Sequence, residues 1–148
     1  MALDQVTDHF RRSEWIQPSA YGLAAEPYPE ELLVPRLLPL CRDVLEPLRA
    51  ELARPLIIIP GGGWRSVEWQ HRHGGPLASR HCHGDAADVR ALGLTGEELH
   101  GRVLELWRAG RLPALGGLGL YPGRTWCHLD ARPHRPGELA QWTGSGRG

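Results

Sequence analysis

The chain has 148 residues, the size of one domain; such a domain buries about two thirds of the surface its unfolded form exposes, so no metal is needed merely to fold it. Seventeen basic residues, all of them arginine, offset seventeen acidic ones, leaving no bulk charge with which to hold nucleic acid or an anionic membrane. Cys41, Cys82 and Cys127 are too few and too irregularly spaced for a disulfide framework.

In chain order, residues 1–8 show no basic region followed by an apolar one, so no secretory signal is visible. No apolar run approaches the length of a membrane span. The expected location is the cytoplasm until the protein is released or exported. Residues 30–52 carry Leu37, Cys41, Val44, Leu48 and Leu52 at helical spacing, interrupted by Pro35, Pro39 and Pro47. This pattern predicts two helical pieces with a kink, Cys41 being buried on the apolar stripe. Leu56-Ile57-Ile58-Ile59 is a buried strand that ends in Pro60 and three glycines. A short helix is expected from Trp64 to His73, and Gly74-Gly75-Pro76 opens the loop carrying Ser79 and His81.

A further strand spans Ala86 to Leu92. Thr95-Gly96-Glu97-Glu98 is a capping box that starts a helix running to about Ala109, with Leu99, Val103, Leu106 and Trp107 on its buried side. Two strands, Leu118 to Tyr121 and Trp126 to Arg132, close a single domain over residues 1–132. Residues 133–148, rich in Gly, Pro and Ser, read as a loose tail. The fold class is α+β, a small and mainly antiparallel sheet with flanking helices.

Chemistry concentrates in Ser79-Arg80-His81-Cys82-His83-Gly84-Asp85-Ala86-Ala87-Asp88. Asp88 sits in an apolar run, where a carboxylate must be paired or bound to metal. His81 lies seven residues upstream across Gly84, which lets the chain turn back so that both groups converge on one ion. Catalytic zinc takes three protein ligands and leaves one position to water. The third candidate is His128: period two places Trp126, His128 and Asp130 on one strand face, with Cys127, Leu129 and Ala131 on the other.

The pattern Ser79-x-His81-x-x-Gly84-x-Ala86-x-Asp88, followed by His128-x-Asp130, resembles the zinc D-Ala-D-Ala carboxypeptidase family, whose relatives include phage endolysins and other peptidoglycan peptidases. Three further stretches resemble it: Gly63-Trp64-Arg65-Ser66, Gly116-Gly117-Leu118-Gly119-Leu120-Tyr121-Pro122, and the opening His9-Phe10-x-x-Ser13-Glu14-Trp15. Together they span residues 9–132. The resemblance implies a sheet-borne zinc site of the kind shared with hedgehog amino-terminal domains. It makes His81, Asp88 and His128 the ligands of one zinc per chain, and Arg65 the guanidinium that receives a substrate carboxylate or carbonyl. The implied reaction is hydrolysis of a peptide bond in a peptidoglycan stem peptide, by a carboxypeptidase or an endopeptidase using zinc-activated water. A monomer is expected, acting as a phage lysin, a tail-associated protein or an exported enzyme.

The sequence departs from that family at the general base. Where several members have an acid three residues before the last ligand this chain has Thr125, and where others have a histidine two residues before it, Trp126 stands. Asp130 is the first choice for the role, either as base or as the partner that orients an imidazole, and His83 is the second. Ser79, Tyr121 and Trp126 are expected to line the substrate cleft. Cys82 and Cys127 adjoin ligands and should face away from the metal, while Asp85 caps or solvates its loop. Two other readings stand beside the enzyme. One is an inactive zinc-bound module for cell-wall binding or signalling; the other is a binuclear hydrolase built on His81-x-His83-x-Asp85, which leaves Asp88 unexplained.

Overall fold

A computed structural model describes residues 4–17, 27–73 and 79–145. The expected loop at 74–76 lies outside the described residues. The amino-terminal stretch forms a small hairpin, β1 (Gln5–Thr7) with β2 (Phe10–Arg11), and a 3₁₀ turn at Arg12–Ile16. Trp15 is buried there, and its indole N–H donates to the Ala86 carbonyl at 3.0 Å, tying this segment to the main sheet.

Residues 30–52 wind continuously instead of breaking into two pieces. Short α segments, α1 (Glu30–Leu32), α2 (Leu38–Leu40) and α3 (Glu46–Leu52), alternate with π-turns at Leu33–Leu37 and Cys41–Leu45. Pro35 lies in the first π-turn, while Pro39 and Pro47 lie in the opening turns of α2 and α3. A proline has no N–H for the carbonyl four residues back, and a locally widened helix absorbs that loss without a break. The apolar stripe keeps its register, so Leu37, Cys41, Val44 and Leu48 are fully buried.

Five strands make the main sheet: β3 (Leu56–Ile58), β4 (Ala86–Ala91), β5 (Gly117–Leu120), β6 (Cys127–Asp130) and β7 (Ala140–Thr143), in the order β3-β4-β6-β5-β7. All neighbours are antiparallel except β5 and β7. The fold is the expected α+β class, but residues 140–143 do not belong to a loose tail. They gain backbone pairing along the free edge of β5, an energy that local composition does not encode.

Two short helices, α4 (Val67–Arg72) and α5 (Arg80–His83), flank the loops that approach β4, and α6 (Gly96–Arg108) begins with the expected capping box. In that box Thr95 Oγ1 accepts from Glu98 N–H and Glu98 Oε1 accepts from Thr95 N–H, both at 3.0 Å. Ala87, Val89, Leu118, Cys127 and Leu129 face the helices within the apolar core. With that sheet face committed to burial, the alternation along each strand turns Asp88 and His128 to the other face. No described helix is long and apolar enough to cross a membrane.

Candidate metal centre

Asp88 on β4 and His128 on β6 are direct cross-strand partners, as the period-two reading requires. His81 reaches them from α5. Ser79 caps this short helix, its Oγ accepting from His81 N–H at 3.3 Å, and Gly84 ends it at φ 83°. That left-handed conformation favours glycine, and it lets the chain double back into β4 within a few residues of His81.

The donor atoms of His81, Asp88 and His128 lie within 4.8 Å of one another, and all three residues are buried. Asp88 Oδ1 stands 3.4 Å from His81 Nε2 and 3.2 Å from His128 Nδ1. The back of each imidazole is fixed. His81 Nδ1 donates to the Gly63 carbonyl at 2.8 Å, which leaves Nε2 as a lone pair directed at a carboxylate. Nε2 is accordingly a buried nitrogen without a hydrogen-bond partner among the described residues. His128 Nε2 donates to Asp130 Oδ2 at 2.8 Å, so Nδ1 is the nitrogen presented to Asp88.

Each of the three groups is displaced from its ordinary pKa by burial and by its neighbours. Burial pushes the Asp88 carboxyl up, but the two imidazoles beside it outweigh burial and hold it well below the usual carboxylate range. Burial lowers the His81 pKa and keeps its ring neutral, as a metal ligand must be. Burial also pulls His128 down, yet its hydrogen bonds to Asp130 and Asp88 prevail and raise it. An ionised oxygen, a bare nitrogen and a second imidazole thus converge at a buried point, a donor set suited to zinc, with outer carboxylate and carbonyl partners orienting both rings.

Around this set the other expected site residues fall in different places. Arg65 is buried; its NH2 lies 3.4 Å from Asp88 Oδ2, its Nε donates to the Gly61 carbonyl at 3.2 Å, and its guanidinium stands over Trp69. Asp130 is fully buried, and its oxygens accept from His128 Nε2, from Arg132 N–H and twice from the Arg132 guanidinium. Burial would raise its carboxyl, but these partners hold it well below the usual range. Tyr121 and Trp126 are buried against each other with ring centroids 4.7 Å apart.

His83 is exposed. Two helical steps from His81 correspond to a rotation of about 200°, so α5 cannot turn both rings to one centre. Asp85 neither caps nor solvates its loop: it is buried and gripped by Arg80 at 2.5 and 3.0 Å, with Arg36 at 3.6 Å. His83 and Asp85 therefore do not join His81 in a binuclear cluster. All three cysteines are free; Cys127 faces the core, while Cys82 approaches the Ser66 carbonyl at 3.8 Å.

Two contacting residues were missed in the sequence. Arg132 continues the period-two face of His128 and Asp130, a signal that was present. Trp142 on β7 packs its indole 4.9 Å from the His128 ring. Its only local sign was the short run Leu139-Ala140-Gln141-Trp142-Thr143 among glycines and prolines.

The sheet, the helices around it and the buried His-Asp-His group define an α+β domain with a candidate metal centre on its sheet. The Peptidase M15 family model matches residues 14–130, and the chain belongs to this family of zinc-dependent metallopeptidases. No curated protein matches the chain.

Proposed function

We propose that the chain hydrolyses a peptide bond in peptidoglycan stem peptides, as a carboxypeptidase or an endopeptidase. The observation that carries this reading is the His81 Nε2 lone pair, left without a hydrogen-bond donor beside Asp88 and His128 in a family of zinc peptidases. Zinc held by His81, Asp88 and His128 would polarise the scissile carbonyl and bring the pKa of a coordinated water toward about 7.

The chain's own groups supply the rest. Arg65 places a fixed positive charge beside Asp88, where it serves a substrate carbonyl or terminal carboxylate. Tyr121 and Trp126 wall the cleft. Ser79 acts through His81, whose backbone it caps, more directly than on substrate. Asp130 fits the orienting role better than that of base, since four hydrogen bonds occupy its oxygens and its partners suppress its basicity. His83, exposed on the far side of α5, has no such tie to the donor set.

The test is release of amino groups from purified peptidoglycan, with mass spectrometry of the fragments to identify the bond. The native chain should carry about one zinc and cut, and His81→Ala should abolish both. Turnover unaffected by His81→Ala would overturn the mechanism. The inactive-module reading draws on Thr125, exposed where several relatives have an acid; a zinc-loaded chain that binds peptidoglycan without cutting it would establish that reading instead.

A further inference from the structure

We propose that Trp142, on the carboxy-terminal strand beyond the matched span of 14–130, is a positioning residue that locks His128 for metal binding. Asp88, His128, Gly119 and Trp142 form one continuous cross-strand row over β4, β6, β5 and β7. Gly119 stands between His128 and Trp142, and a Cβ built there would come within 2.6 Å of the indole. The missing side chain is thus the space through which the indole leans across β5 to reach the imidazole.

Three contacts hold the indole in that space. Its ring lies 4.9 Å from His128; the Arg132 guanidinium, which also grips Asp130, stands 5.1 Å over it; and its Nε1 donates to the Tyr121 hydroxyl at 3.0 Å. One residue beyond β7, Gly144 N–H donates to the Leu120 carbonyl at 2.8 Å and secures the strand end. His128 is therefore bounded by Asp130 behind Nε2 and by Trp142 against its ring. Rotation of the ring, which would withdraw Nδ1 from Asp88, must displace one or the other. Tying a ligand's orientation to its outer neighbours in this way commonly controls metal affinity.

This inference rests on the proposed metal site but not on the identity of the substrate. Zinc affinity is measured by competition with a chromogenic chelator, and ligand geometry by the visible spectrum of the cobalt(II)-substituted chain, zinc itself being spectroscopically silent. Trp142→Ala should weaken zinc binding by about 10–100-fold and alter the cobalt bands. Trp142→Phe, which restores a flat ring, should recover most of that affinity. Gly119→Ala should reproduce the loss by pushing the indole aside, and should add little in the Trp142→Ala background.

Zinc affinity and cobalt bands unchanged in Trp142→Ala would overturn the proposal. Should that variant fail to fold by circular dichroism, Gly119→Ala alone decides: weakened zinc supports the proposal and unchanged zinc removes it. A native chain that binds zinc but leaves peptidoglycan intact defeats the peptidase reading and leaves this inference standing. A cutting enzyme whose Trp142→Ala form keeps full zinc affinity does the reverse.

Discussion

Asp85 and Asp88 lie three residues apart, are equally buried, and have opposite surroundings. Asp85 is met by the cations of Arg80 and Arg36, so its charge is answered from within the protein. Asp88 meets two imidazole nitrogens, one of them a bare lone pair, with the Arg65 guanidinium only at 3.4 Å. A buried carboxylate facing another acceptor is costly unless a cation stands between them. The first aspartate is a fastening between two arginines, and the second shares its charge between the Arg65 guanidinium and two imidazole nitrogens in the arrangement a divalent ion would use. Burial alone does not separate a structural acid from a ligand; the protonation state of what it faces does.

Substitution at the two sites tests that distinction. The largest effect is expected from Asp88→Asn, which should lower zinc affinity by more than about 100-fold, beyond the usual effect of losing an outer partner, and abolish hydrolysis. Asp85→Asn should keep its zinc while losing about 2 kcal/mol of stability, because charged hydrogen bonds to Arg80 are weakened. In a domain of this size that is a fall in melting temperature of roughly 4–8 °C. Zinc titration and thermal melting of both variants decide the matter. Equal loss of zinc in the two would break the contrast.

The legible parts of the molecule were those whose signals are local. The capping box, the strand alternation and the glycine turn of His81 all depend on neighbours within a few residues, and each stands as expected. The meeting of Asp88 and His128 was legible because period two fixes which face a side chain takes once the apolar face is buried. The burial of Asp85 is less legible: Arg80 is near in sequence but turns onto it only through α5, and Arg36 arrives from the helical segment of residues 30–52 by tertiary packing. The strand β7 was hidden for a related reason: four residues with weak alternation acquire their structure from the edge of β5. His83 is near His81 in sequence but not in space, because a short helix turns the two rings apart.

A third buried acid, Asp130, sharpens the comparison at smaller scale. It resembles Asp85 in having a cation, Arg132, yet it also holds the ring of a ligand. Asp130→Asn preserves the shape but allows the amide to donate to Nε2, which moves the ring proton to Nδ1 and turns the wrong nitrogen state toward Asp88. Zinc affinity should fall about 10–100-fold, and turnover should recover when zinc is supplied in excess. Slowed turnover that excess zinc does not restore would give Asp130 the role of base after all.

The smallest effect is expected furthest from these acids. Gly101 lies within α6, and a Cβ built there meets nothing within 4 Å. Gly101→Ala should therefore stabilise the chain by roughly 0.5–1 kcal/mol, by restricting the unfolded backbone and favouring the helix. Zinc affinity should not move, since α6 packs on the apolar face of the sheet while Asp88 and His128 occupy the other. A change in zinc binding on Gly101→Ala would mean that the two faces are mechanically coupled, and that the partition between a structural side and a chemical side is less complete than the strand alternation implies.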